Sequence, residues 1–150
     1  MSGFLRGWGI RILIILAIGA GAFVLRDRLS GSAGDLSLGD CFAVPTTAAE
    51  VTEVQHSPCN ESHTGEVVFV GDMPDSETFP TDAAFDDFLR TQCVPAFNTY
   101  TGLDFETDQT FDFSSFTPTT EGWSSGDRDV TCFLVRVDGG AMTTSMKATP

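Results

Sequence analysis

From residue 12 to residue 25 the chain carries no charge and is almost wholly apolar, and Gly7 to Ile10 with a snorkelling Arg11 lengthen that run toward a bilayer span. Beyond residue 37 the apolar positions break into shorter units. Runs at 40–44, 51–55 and 66–71, rich in Val, Phe or Thr and bounded by Pro, Gly or Ser, predict strands that pair antiparallel. Pro80-Thr81-Asp82 then signals a helix start, with Thr81 or Asp82 as N-cap, and Phe85, Phe88, Leu89 and Cys93 recur on one helical face. Pro95 either interrupts this helix or opens a second short one through Tyr100, and Gly102 ends it. Acids alternate in part with apolar residues over 104–116, and 130–137 (VTCFLVRV) is the strongest strand pattern in the chain. Asp138-Gly139 has the composition of a type I′ turn, which would send 141–146 back along that strand. The class these elements predict is α+β: a mainly antiparallel sheet with one or two packed helices, preceded by a transmembrane helix.

Charge divides the chain in the same place. Of 21 acidic residues only Asp27 precedes residue 29, whereas Arg6, Arg11, Arg26 and Arg28, half of the eight cations, do. The remainder sets 20 acids against Arg90, Arg128, Arg136 and Lys147. Four scattered cations cannot neutralise a row of phosphates, so no nucleic-acid partner is expected. With 41% hydrophobic residues and 13 Phe, this acidic part has enough apolar surface to fold. The expected organisation is a basic-flanked anchor over 1–28, a flexible linker of small polar residues over 29–37, and one extracytoplasmic domain over 38–150.

Two readings fit the first segment. A retained signal anchor accounts for Arg26, Asp27 and Arg28 as interface residues and for Phe23-Val24-Leu25 continuing the apolar run; a cleaved signal peptide would use Ala20-Gly21-Ala22 as its small-residue site and give a secreted protein. The flanking arginines balance, so the positive-inside rule does not orient the span. The cysteines do. Cys41, Cys59, Cys93 and Cys132 all follow the apolar run, and an even number behind a targeting signal implies disulfides in an oxidising compartment, outside the membrane. Their wide spacing lacks the paired thiolates of a zinc site, and no metal or cofactor is expected. Three pairings are open to four cysteines; the expected one is Cys41–Cys59, closing a hairpin-sized loop, with Cys93–Cys132 tying the helix to the sheet.

Candidate chemistry is sparse. His63 and Glu66 are the best polar pair, since a carboxylate can orient an imidazole for metal binding or base catalysis, with His56 as a possible third member. The plainer reading is a structural hydrogen bond beside a disulfide-closed loop. Trp123 with Asp127 and Arg128 predicts a turn that buries the indole while the charged groups bond the backbone. Arg128 is also the cation best placed to meet an anionic group such as a wall-peptide carboxylate. Asp104, Glu106 and Asp108 begin like a calcium loop, but Gln109 and Ser115 stand where such a loop needs Gly and Glu. No G-x-S-x-G elbow is present, and nothing in the spacing selects a catalytic carboxylate pair.

Three segments carry a family likeness: Leu38-Gly39-Asp40-Cys41-Phe42; Cys59 to Val67 (CNESHTGEV); and Trp123 to Cys132 (WSSGDRDVTC), closed by Thr144-Ser145-Met146. In order and spacing they resemble the septum-formation domain family of actinobacterial membrane-anchored envelope proteins, with Ser62 where that family has proline. The resemblance implies an envelope protein linked to division septa and supplies no reaction. The function expected is a non-catalytic, membrane-anchored binding or scaffolding module whose partner is an envelope protein or wall component. The alternatives are a wall hydrolase using paired carboxylates and a divalent-cation-dependent adhesion domain.

Overall fold

A computed structural model of the chain describes residues 30–46, 51 and 53–149. The expected membrane segment lies outside them, and among the described residues no helix is long and apolar enough to cross a membrane. Six strands form one antiparallel sheet: β1 (Ser30–Ser32), β2 (Cys41–Ala43), β3 (Glu53–Ser57), β4 (Gly65–Asp72), β5 (Phe111–Phe116) and β6 (Asp129–Arg136), in the order β1-β3-β2-β4-β6-β5. The α-helices among the described residues are α1 (Asp82–Phe88), α2 (Val94–Thr101) and the short α3 (Thr120–Ser124). The α+β class and the antiparallel sheet agree with the sequence pattern.

Thr81 is the N-cap of α1, its hydroxyl accepting from the Ala84 amide at 3.3 Å. Pro95 opens α2 at its first turn, and the chain reaches it through a π-helical stretch, Leu89–Cys93. The wider turn accommodates a residue that has no N–H and whose ring would strike the preceding turn of an α-helix. Gly102 caps α2 in the left-handed conformation, φ 72°, donating to the Asn98 carbonyl.

The sheet buries both faces. On one, the helices and α3 enclose Phe97, Tyr100, Trp123, Val130, Cys132 and Leu134. On the other, Phe42, Val67 and Phe133 pack under Ala33 and Leu36. The stretch expected to be a flexible linker is therefore part of the domain from residue 30 onward: β1 pairs with β3, and a 3₁₀ turn, Ala33–Asp35, places Ala33 and then Leu36 over the sheet. Its small polar composition suits an edge strand and a tight turn as well as a linker, and two apolar side chains decide between them.

The hairpin expected at Asp138-Gly139 does not form. Strand β6 has β4 on one side and β5 on the other, so neither edge is free to receive 141–146. Gly139 still makes a turn, φ 71°, donating to the Arg136 carbonyl at 3.0 Å, while Asp138 keeps a negative φ. The segment after it forms instead an isolated bridge just ahead of β4, where Met142 and His63 exchange backbone hydrogen bonds of 2.8 and 3.0 Å.

Close packing against β4 explains Gly65. A Cβ there would lie 2.8 Å from Val44 Cγ2 and 2.9 Å from Phe42 Cζ. Gly65→Ala is expected to destabilise the fold by about 1–3 kcal/mol through overpacking, read as a lower urea midpoint with an unchanged slope. A wild-type midpoint would mean that Phe42 is not held as tightly as this geometry requires.

Candidate functional site

Alternation along β4 turns Glu66 inward, beneath α2 and the C-terminal segment, where it is fully buried. A carboxylate in such a place must have its lone pairs satisfied. Tyr100 Oη donates to Oε1 at 2.6 Å, Ser145 Oγ to the same oxygen at 2.5 Å, and the Met146 amide to Oε2 at 2.9 Å. These donors come from α2 and from the chain end, so one side chain ties the sheet, the helix and the last residues together. Burial first, and the adjoining Glu66 carboxylate second, push the Tyr100 phenol well above its ordinary value.

His63 stands beside this hub with 1% of its surface exposed. Its Nδ1 lies 2.8 Å from the Glu61 carbonyl; a carbonyl only accepts, so Nδ1 carries the proton. Nε2 then faces Glu66 Oε2 at 3.9 Å, too far for a hydrogen bond, and is the one buried side-chain polar atom among the described residues without a partner. The expected pair is thus brought together, shut away from solvent. His56 sits on β3 opposite Phe42, outside this group of bonded atoms.

Both expected disulfides are formed. Cys41–Cys59 joins β2 to the turn before His63, and Cys93–Cys132 joins the π-helical stretch to β6. Ligand atoms of Cys41, Cys59 and Glu66 lie within 4.8 Å of one another, but the two sulfurs are bonded to each other and offer no thiolate to a metal.

The second constellation lies at the other end of the sheet. Arg128 stacks over Trp123, its Cζ 3.7 Å from the ring centroid. Nε and Nη2 donate to Asp75 Oδ1 at 3.0 and 2.9 Å, Nη1 donates to the Trp123 and Asp127 carbonyls at 2.8 Å each, and Nη2 reaches the Ser76 carbonyl at 3.5 Å. All five guanidinium N–H groups are engaged, leaving none over for the anionic ligand that the sequence allowed. Trp123 Nε1 donates to the same Ser76 carbonyl at 3.1 Å, and Asp127 Oδ1 accepts from the Asp129 amide at 3.0 Å. The motif is therefore a clamp, and what it grips is the 73–81 loop between β4 and α1.

The acids at 104–108 bond the backbone. Asp104 Oδ1 accepts from Glu106 N at 3.0 Å, and Asp108 Oδ1 from Thr110 N and Phe111 N at 2.9 and 2.7 Å, which is turn chemistry in place of a calcium loop. The sequence reading missed Tyr100, Ser145 and Asp75 as partners. Tyr100 had a signal, a polar tip on the apolar face three positions from Phe97; Ser145 and Asp75 had none, being 79 and 53 positions from the groups they bind.

Residues 37–149 match the family described as septum formation, and the chain belongs to that family. The match takes in all four cysteines, the Glu66 hub and the Trp123–Arg128 clamp. No curated protein and no solved structure matches the chain.

Proposed function

We propose that this member of the septum-formation family is a non-catalytic binding or scaffolding module, held to the membrane by its N-terminal apolar segment, with its disulfide-linked domain on the extracytoplasmic side. The observation that carries the reading is that the polar residues of the family motif are consumed in folding: Glu66 by three donors in a closed core, Arg128 by five acceptor contacts. Catalytic groups need access to substrate and a geometry poised for the transition state. Glu66 and His63 have no such access, and Arg128 has no donor to spare. Two disulfides support an oxidising compartment. The surplus of acids disfavours nucleic acid and leaves an envelope protein or wall component as partner.

The test is complementation of a division defect by full-length variants, each lacking one exposed carboxylate, including Glu121→Gln and Asp127→Asn. Every variant that accumulates as folded protein is expected to restore septation. Loss of function at Glu121 or Asp127 with folding intact would replace this reading with the wall-hydrolase alternative.

A further inference from the structure

The clamp has a load. Loop 73–81 leaves β4 at Met73, whose amide donates to the Arg128 carbonyl at 2.9 Å, and enters α1 at Thr81. Between these points Arg128 holds the Asp75 side chain, and Trp123 and Arg128 share the Ser76 carbonyl. Pro74 and Pro80 stiffen both ends. A loop fixed by so many bonds is preorganised, and what it presents is Phe79, a large apolar side chain 38% exposed. Phe79 stands edge-on to Trp123, centroids 6.1 Å apart, and 5.5 Å from Phe85.

Hollows lie on both sides of Phe79. One of about 470 Å³ runs over Trp123 and Arg128, with Asp75 and Glu77 in its wall. The other, about 510 Å³, is floored by Met73, Pro74, Pro80 and Phe88, with Asp87 in its wall. Arg128 is the only cation in either wall, and Asp75 already takes it. Arg90, nearby on the helical segment, is bonded to Asp87 at 3.0 Å. Glu77 is thus the one acid of these walls without an ion-pair partner among the described residues, and an apolar anchor beside it, on a domain with 20 acids against 4 cations, is complementary to a positively charged, partly apolar segment and repels anionic wall polymers.

We propose that Phe79 and its two flanking hollows form a docking site for a short segment of a partner protein that carries apolar side chains flanked by lysine or arginine, with Trp123 and Arg128 as the residues that position it. This rests on the binding-module reading and narrows its partner to a protein with a basic segment.

The test uses the full chain in neutral detergent micelles and a fluorescein-labelled peptide, leucine-phenylalanine-leucine with two lysines at each end, followed by anisotropy at physiological salt. Saturable binding is expected, at least tenfold weaker for Phe79→Ser and unchanged for Val137→Ser, which alters an apolar side chain 62% exposed elsewhere. A peptide with the same lysines and serines in place of its apolar residues should bind weakly and be indifferent to Phe79. Glu77→Lys, at an exposed position that folding does not use, should weaken the lysine peptide and strengthen one with glutamates for lysines. Equal binding by wild type and Phe79→Ser, an equal loss at Val137, or a preference of the wild type for the glutamate peptide overturns the proposal. The two readings fail separately. Complementation that tolerates every carboxylate variant while the Phe79 peptide test fails leaves a binding module that works through another surface. A single indispensable carboxylate outside the two hollows, with peptide binding retained, removes the binding-module reading itself.

Discussion

Replacing Glu66 by glutamine is expected to destabilise the domain by about 3 kcal/mol, the lower end of the cost of breaking a buried charged group's bonds, and to lower the thermal midpoint by about 10 °C. The reason is the geometry of its donors. Tyr100 and Ser145 both donate to Oε1 and the Met146 amide donates to Oε2. Glutamine keeps one acceptor oxygen for Tyr100 and Ser145, without the charge, and sets its NH2 group against the Met146 amide, which is itself a donor. Each hydrogen bond to a charged acceptor is worth about 1.5–3 kcal/mol, and Tyr100→Phe should lose about that much alone. The two substitutions should be non-additive in a double-mutant cycle, because both act on the bond between Tyr100 and residue 66.

The same hub gives a pH signature. The Tyr100 phenol is raised in the folded state, so below the ordinary phenol pKa near 10 its contribution to stability is complete. As pH rises past 10 the unfolded chain loses the proton and the folded one does not, and stability falls by about 1.4 kcal/mol per pH unit. Tyr100 is the only tyrosine in the chain, so phenolate absorbance reports this one group. The folded protein should show no titration near pH 10, and absorbance should rise together with unfolding. Glu66→Gln should bring the titration toward 10. An ordinary titration in the folded wild type would show that the phenol is solvated and the hub open. Amide exchange offers a second check: Met146, protected by Glu66, should exchange faster in the variant, while β6 amides slow in the wild type keep their order.

The elements that were legible in the sequence are those whose causes are local. Thr81, the apolar face through Phe85 and Leu89, Pro95 and Gly102 lie within one helical segment, and each acts on its own neighbours. The strand at β6 announced itself through an unbroken apolar run. Asp138-Gly139 misled because turn chemistry is local, whereas whether a strand has a free edge depends on where β5 goes. Ala33 and Leu36 were hidden for the related reason that two apolar residues among small polar ones have no period. In the sites, the residues themselves stood out by type, but their roles did not. Arg128 reads as a free cation until Asp75 is brought to it across 53 positions, and Glu66 reads as a candidate base until Ser145 and Tyr100 close over it. A sequence marks a polar residue as costly to bury; only the fold says whether that cost is met by a ligand or by the chain itself.

Removing the two disulfides is expected to have unequal effects. Cys93 and Cys132 are both fully buried, bridging 39 positions between the helical segment and the central strand; Cys41–Cys59 bridges 18, and Cys59 is partly exposed. On the chain-entropy account the longer bridge is worth about 4 kcal/mol and the shorter about 3 kcal/mol. Graded reduction of the folded protein, trapped by alkylation and mapped by mass spectrometry, should therefore open Cys41–Cys59 first, while Cys93–Cys132 waits for unfolding. In the intermediate the sheet and helices should survive, because β2 remains paired to β3 and β4, but the turn that carries His63 loses its covalent tether. Cys41 is paired in register with Glu66, so loosening that end of β2 should also speed exchange at Met146. Opening of Cys93–Cys132 first would mean that the helical segment parts from the sheet more easily than the turn at Cys59. The core around Phe97 and Leu134 would then not be the most stable part of the domain. Trapping the single-bridge intermediate makes the Glu66 hub measurable apart from the core, since one bridge guards the hub and the other guards the packing.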